Sequence, residues 1–117
     1  MLFDFSRFSH IVHSVYPKTD YSESEALRVF RYYFQKYESA FGVAHPPLRV
    51  SRIIRIIQEM PWVTDEAARL YYEAVPPDAY ERMIDLYFTD KYGKSDRNIW
   101  RFFGGRARSL CFYEVCF

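Results

Sequence analysis

Half of the 117 residues are hydrophobic and 21% are aromatic, enough for one ring-built core and incompatible with an intrinsically disordered chain. Sixteen Lys and Arg against fifteen Asp and Glu leave a net charge of +1, which excludes attraction of the whole molecule to a polyanion or a membrane surface. No stretch approaches the ~18 consecutive apolar residues of a membrane span. The opening Met1-Leu2-Phe3-Asp4-Phe5-Ser6-Arg7 lacks the basic start and apolar run of a signal peptide, so a cytoplasmic protein with no membrane partner is expected.

The first predicted helix runs from about Phe3 to Tyr16, with Phe5, Phe8, Val12, Val15 and Tyr16 on one stripe and Pro17 ending it. The second opens on a capping box, Ser22 with Glu25, in which a hydroxyl and a carboxylate satisfy free backbone N–H groups. Ala26, Phe30, Tyr33, Phe34, Tyr37 and Phe41 then recur at helical spacing, and Gly42 supplies the left-handed stop. After Pro46-Pro47, Leu48 to Met60 reads as a third helix: Ile53, Ile56, Ile57 and Met60 share one face, Arg52 and Arg55 lie on the other, and Pro61 closes it.

Thr64 is placed to cap a short fourth helix through Ala67, Ala68 and Tyr71. A fifth begins at Pro76-Pro77-Asp78, with proline in the first turn and an acid near the positive end of the dipole. Its stripe is Tyr80, Met83, Ile84, Tyr87 and Phe88, and Gly93 is the expected stop. Asp96 is placed to cap a short helix carrying Ile99, Trp100, Phe102 and Phe103, which Gly104-Gly105 ends. From Arg106 onward the residues fit a short helix and an extended tail equally well. The expected architecture is all-α: residues 1–117 form a single helical domain, a bundle of five or six helices. Its core is expected around Phe30, Phe34, Ile53, Ile57, Ile84, Tyr87, Phe88 and Phe103.

The search for catalytic chemistry returns bland explanations. His10 and His13 lie three apart on the first helix but off its apolar stripe, and no third ligand is near them. His45 precedes two prolines, which loop geometry explains. Acid pairs such as Glu81 and Asp85 suit a helix surface, and no phosphate-cradling glycine loop, nucleophile elbow or zinc spacing occurs. Cys111 and Cys116 are five apart, too far for easy bridging, and read as small packing residues. No enzyme activity, cofactor or metal is expected.

Charge segregation carries more. Residues 59–85 hold seven acids against Arg69 and Arg82, whereas residues 91–113 hold six bases (Lys91, Lys94, Arg97, Arg101, Arg106, Arg108) against Asp96 alone. Arg49, Arg52 and Arg55 add a second basic stretch. Arginine suits forked contact with phosphates, and interleaved rings such as Trp100 offer stacking surfaces where exposed. The competing explanation is internal: bases complement helix C-termini, and a basic half facing an acidic half holds the domain together.

The stretch Val29-Phe30-Arg31-Tyr32-Tyr33-Phe34, then His45-Pro46-Pro47-Leu48-Arg49 and Ile53 to Pro61, resembles small proteins of conjugative elements and prophages in gut Firmicutes. Tyr80 to Phe88, Asp96-Arg97-Asn98-Ile99, Phe102-Phe103 and Phe112-Tyr113-Glu114 carry the same resemblance, which spans nearly the whole chain. That family has no assigned activity. A second likeness is to the C-terminal domains of phage replication-initiation and primosomal (DnaD-like) proteins, with Tyr80 to Phe88 and Ile99 to Phe103 in the matching places. It shares no diagnostic motif residue for residue and implies a setting in DNA replication by analogy of fold.

The function expected from these readings is a non-enzymatic accessory protein of a mobile genetic element. It would bind nucleic acid, DNA more than RNA, through Arg49, Arg52, Arg55, Lys94, Arg97, Arg101, Arg106 and Arg108. The alternative is a protein-interaction module or inhibitor of a host or phage protein, marked by an exposed ring patch near Trp62, Trp100 or the C-terminal tail. A homodimer is compatible with either.

Overall fold

In the computed structural model, which describes residues 1–62, 74–93 and 95–116, six α-helices and no strand occur among the described residues. The helices are α1 (Phe5–Val15), α2 (Glu23–Phe41), α3 (Val50–Glu59), α4 (Pro77–Tyr87), α5 (Ile99–Gly104) and α6 (Ala107–Cys116), with a 3₁₀ turn at Asp90–Tyr92. The all-α expectation holds. The helix expected through Ala67, Ala68 and Tyr71 lies outside the described residues.

Local chemistry sets most boundaries. The Asp4 carboxylate accepts from the Arg7 N–H and starts α1. The capping box of α2 is complete: Ser22 Oγ accepts from the Glu25 N–H, and the Glu25 carboxylate accepts from the Ser22 N–H. Gly42, at φ 72°, turns the chain out of α2 in the left-handed region where a side chain is strained. Two expected boundaries move. α4 stops at Tyr87, so Gly93 ends the 3₁₀ turn instead. Asn98 occupies the cap position of α5, while Asp96 accepts from the Asn98 N–H one step earlier.

The tail after Arg106 resolves as helix. Its strand-favouring residues find no partner strand among the described residues, so helical packing decides. Within α6, Arg108 and Cys111 are buried and Phe112 and Val115 half-buried, an i, i+3, i+4, i+7 stripe turned to the core.

α2 is the spine. Val29, Phe30, Tyr33 and Phe34 are fully buried on it, and α1 lays Phe5, Phe8 and Val12 against that face. Phe8 meets Phe30 and Phe34 edge-on at 4.8 and 5.2 Å, and Phe3 stacks on Phe34 at 4.1 Å. Each such ring pair contributes ~0.5–1.5 kcal/mol beyond its buried area. α4 packs chiefly between α2 and α6. Arg28 pairs with Glu81, while Tyr32 and Lys36 both reach Asp85, so the acids expected on a bare helix surface tie α4 to α2. Seven of the eight expected core residues are buried, and Phe88 is half-buried.

The tyrosines explain why so many core rings carry a hydroxyl. Tyr33 donates to the Arg97 carbonyl at 2.7 Å, Tyr80 to the Met60 carbonyl at 2.5 Å, and Tyr21 to the Val75 carbonyl. Each supplies apolar bulk and also satisfies a carbonyl of irregular backbone that would otherwise be buried without a partner. Burial pushes the Tyr80 hydroxyl up to about 12, so it remains a neutral donor.

Candidate nucleic-acid interface

α3 is sharply two-faced. Ile53, Ile56 and Ile57 are buried, and Arg49, Arg52 and Arg55 emerge on the solvent side with Val50 and Ser51. α5 packs beside α3 and, with it, frames a groove of about 270 Å³. Arg52, Arg55 and Glu59 line one wall; Trp100, Phe103 and Gly104 line the other. The Arg52 guanidinium carbon lies 4.7 Å from the centroid of the half-buried Trp100 ring. Arg55 Nε lies 3.2 Å from the Glu59 carboxylate, one turn on. This is an exposed pair of small net strength, and another anion can compete for the guanidinium.

The eight residues expected to meet nucleic acid do not form one surface. Arg49, Arg52 and Arg55 are together on α3. Arg101 is exposed and holds Asp96 at 2.9 Å. Arg106 is exposed between α5 and α6, and neither it nor Arg101 lines the groove. Lys94 lies outside the described residues. Among the described residues, Arg49, Arg52 and Arg106 are in no ion pair with an acid.

Arg97 and Arg108 leave the expected set, because both are buried. Arg108, 1% exposed, donates from Nη1 to the Glu59 carbonyl at 2.7 Å and the Trp62 carbonyl at 3.3 Å. These carbonyls lie at the C-terminal end of α3, where helical carbonyls lack partners and the dipole is negative. The guanidinium also lies over the Phe103 ring at 5.3 Å. Arg97 likewise donates to the Thr89 and Gly93 carbonyls after α4, and to Ser95 Oγ, with its guanidinium 4.8 Å from the Tyr87 ring. Its backbone stands at φ 57°, unusual for a residue with a side chain. Both arginines seal the ends of other helices.

His45 is a structural residue that its loop position concealed. It is 2% exposed and walled by Phe34, Tyr37 and Trp100 rings at 5.0, 4.8 and 5.6 Å. Its Nε2 accepts from the Ile99 N–H at 2.9 Å, capping the start of α5, and its Nδ1 faces the Pro46 carbonyl at 2.7 Å. That network fits the neutral ring with the proton on Nδ1. Burial pushes the imidazole down to about 4, against the opposing influence of the Pro46 carbonyl and Asp96.

Other expected features fall outside any site. His13 is paired with the Glu23 carboxylate at 2.9 Å on the surface; Cys111 is buried and Cys116 exposed, both free. Among the described residues no group of three metal-ligating side chains converges, and no helix is long and apolar enough to cross a membrane. Compared with known proteins, the chain matches no family model, no curated protein and no solved structure.

Proposed function

We propose that this chain is a non-enzymatic, cytoplasmic accessory protein of a mobile genetic element that binds DNA through the outer face of α3 and the groove beside it. The supporting observation is the triplet Arg49, Arg52 and Arg55 on one exposed helix face with Trp100 across the groove. Arg101 and Arg106 extend the basic character along α5 and its end. Phosphates neutralised by these side chains would release counterions, giving affinity with little sequence choice and a steep fall with salt.

The test is a fluorescence-anisotropy titration of labelled DNA at low and moderate salt. Arg52→Glu and Arg55→Glu together should weaken binding and flatten the dependence on log salt by about one unit for each phosphate no longer neutralised. No binding at low salt, or binding indifferent to both changes, sinks the reading.

A second reading, a protein-interaction module, is favoured by a different surface. Met1, Leu2, Phe41 and Val43 are all 45% exposed or more. The Phe3 N–H donates to Glu38, which draws the start of the chain to the end of α2 where Phe41 and Val43 lie. Val50 on α3 and Leu110 on α6, toward the C-terminal tail, are exposed as well. Binding of a protein partner that Leu2→Asp and Phe41→Asp abolish, with DNA binding absent, would replace the first reading with this one.

A further inference from the structure

We infer that the groove between α3 and α5 takes an unpaired nucleobase, so that the ligand is single-stranded DNA in preference to duplex. This rests on the nucleic-acid reading above and narrows it.

The walls of the groove carry different chemistry. On the α3 side are two guanidinium groups, Arg52 and Arg55, with the Glu59 carboxylate that holds Arg55 and must yield it to a phosphate; on the α5 side are the Trp100 ring and the largely buried Phe103. A duplex presents its phosphates outward and keeps its base faces stacked within, so it could use the arginines but not the rings. A single strand offers both a phosphate and a free base face within one nucleotide, which matches a cation and an aromatic facing each other. The Arg52 guanidinium already lies over the Trp100 ring at 4.7 Å, and planar guanidinium and indole groups are both stacking partners for a base.

The volume, about 270 Å³, suits a small planar group and not a helix of either nucleic acid. Gly104 leaves the end of the α5 wall open: a Cβ built there meets no atom within 4 Å, and no left-handed backbone demands glycine. Trp100 is held from behind. Its ring meets the His45 ring edge-on at 5.6 Å, and His45 fixes the first N–H of the same helix. The Trp100 ring is therefore held in place before any ligand arrives, which lowers the ordering cost of binding. The Arg52 guanidinium that covers it at 4.7 Å must swing aside or itself be stacked upon by the entering base.

The experiment compares a short oligodeoxythymidylate with a duplex of the same length, by anisotropy at matched salt. A Trp62→Phe background makes Trp100 the sole tryptophan. The single strand should bind the tighter of the two and quench Trp100 emission, while the duplex should leave that emission unchanged. Trp100→Leu, which keeps an apolar group against the core, should cost the single strand about ten-fold in affinity and the duplex little. Circular dichroism and thermal melting establish that this variant folds. Trp100→Phe, which retains a ring, should restore most of that affinity and covers the case in which Trp100→Leu does not fold.

Equal affinity for the two forms, or single-strand binding unaffected by Trp100→Leu, overturns the inference while leaving the nucleic-acid reading intact. Absence of binding by both forms at low salt removes the reading and the inference together.

Discussion

The two ends of α3 use arginine in opposite ways. At the start, Arg49 occupies the cap position without a side-chain cap hydrogen bond, and Arg52 stands in the first turn, which has no acid. Both cations lie at the positive end of the dipole, where they cost roughly 0.3–1 kcal/mol. At the finish, Arg108 arrives from α6, is enclosed, and donates to two carbonyls at the negative end. Fold stability accounts for the second arrangement. At the first, Arg52 regains part of its cost over the Trp100 ring, whereas no ion pair among the described residues compensates Arg49. Cations kept where they weaken their own helix are better explained by something outside the chain that needs them.

The sharpest way to break this comparison is to remove the enclosed arginine. Arg108→Ala deletes two charge-assisted hydrogen bonds, leaves the Glu59 carbonyl with only the Trp62 N–H and the Trp62 carbonyl without this donor, and opens a cavity against Phe103. A loss of about 3–5 kcal/mol is expected. Urea unfolding followed by circular dichroism measures it. Arg108→Met, which keeps the bulk, should recover only the packing share. A loss below about 1 kcal/mol for Arg108→Ala would mean that the buried guanidinium is not what closes α3.

Acid tests the support behind Trp100 through His45, which meets that ring and caps the start of α5. The folded protein holds this imidazole near 4, below its usual value of about 6.5. The neutral ring is thus favoured by the fold, and its contribution is complete above about pH 6.5. It disappears as the pH falls from there through 4, on the order of 3 kcal/mol in all. Melting temperatures across that range should show the decline, and His45→Gln should flatten it at a lower plateau. An unchanged pH profile in His45→Gln would show that other groups cause the acid sensitivity.

The smallest expected effect has the opposite sign. Arg49→Asp places a capping carboxylate at the start of α3 and removes a misplaced cation, so the fold should gain about 1 kcal/mol. The same variant should bind DNA more weakly. A substitution that stabilises while it disables is the expected signature of a residue kept for function. If Arg49→Asp destabilises the protein, the comparison of the two ends is wrong.

The helices with strong punctuation are legible in the sequence: the Ser22/Glu25 box, Gly42, and proline at the start of α4 all act through nearby backbone, which a linear pattern contains. The groove is half legible. Arg52 and Arg55 follow from the apolar stripe of α3, since what is not among the isoleucines faces water. Arg108 escapes a linear reading as long as the conformation after Arg106 stays open; once residues 108, 111, 112 and 115 are taken as one helical stripe, the arginine falls on the inward face. Arg97 offers no such signal. Its burial depends on Thr89, Gly93 and Tyr87 converging around a left-handed backbone, a tertiary arrangement that spacing does not encode. His45 is hidden for a related reason, because the amide that it caps is 54 residues away.

That last contact has a consequence for how the molecule assembles. A helix of six residues is far too short to nucleate alone, and α5 relies for its first turn on a side chain from the distant loop before α3. α5 is therefore an outcome of long-range docking and cannot serve as a seed. The placement of the Trp100 wall thus depends on the loop carrying His45, whose ring packs on Phe34 and Tyr37 of α2. Loosening that loop is expected to disturb the aromatic side of the groove while leaving the arginines of α3 in place.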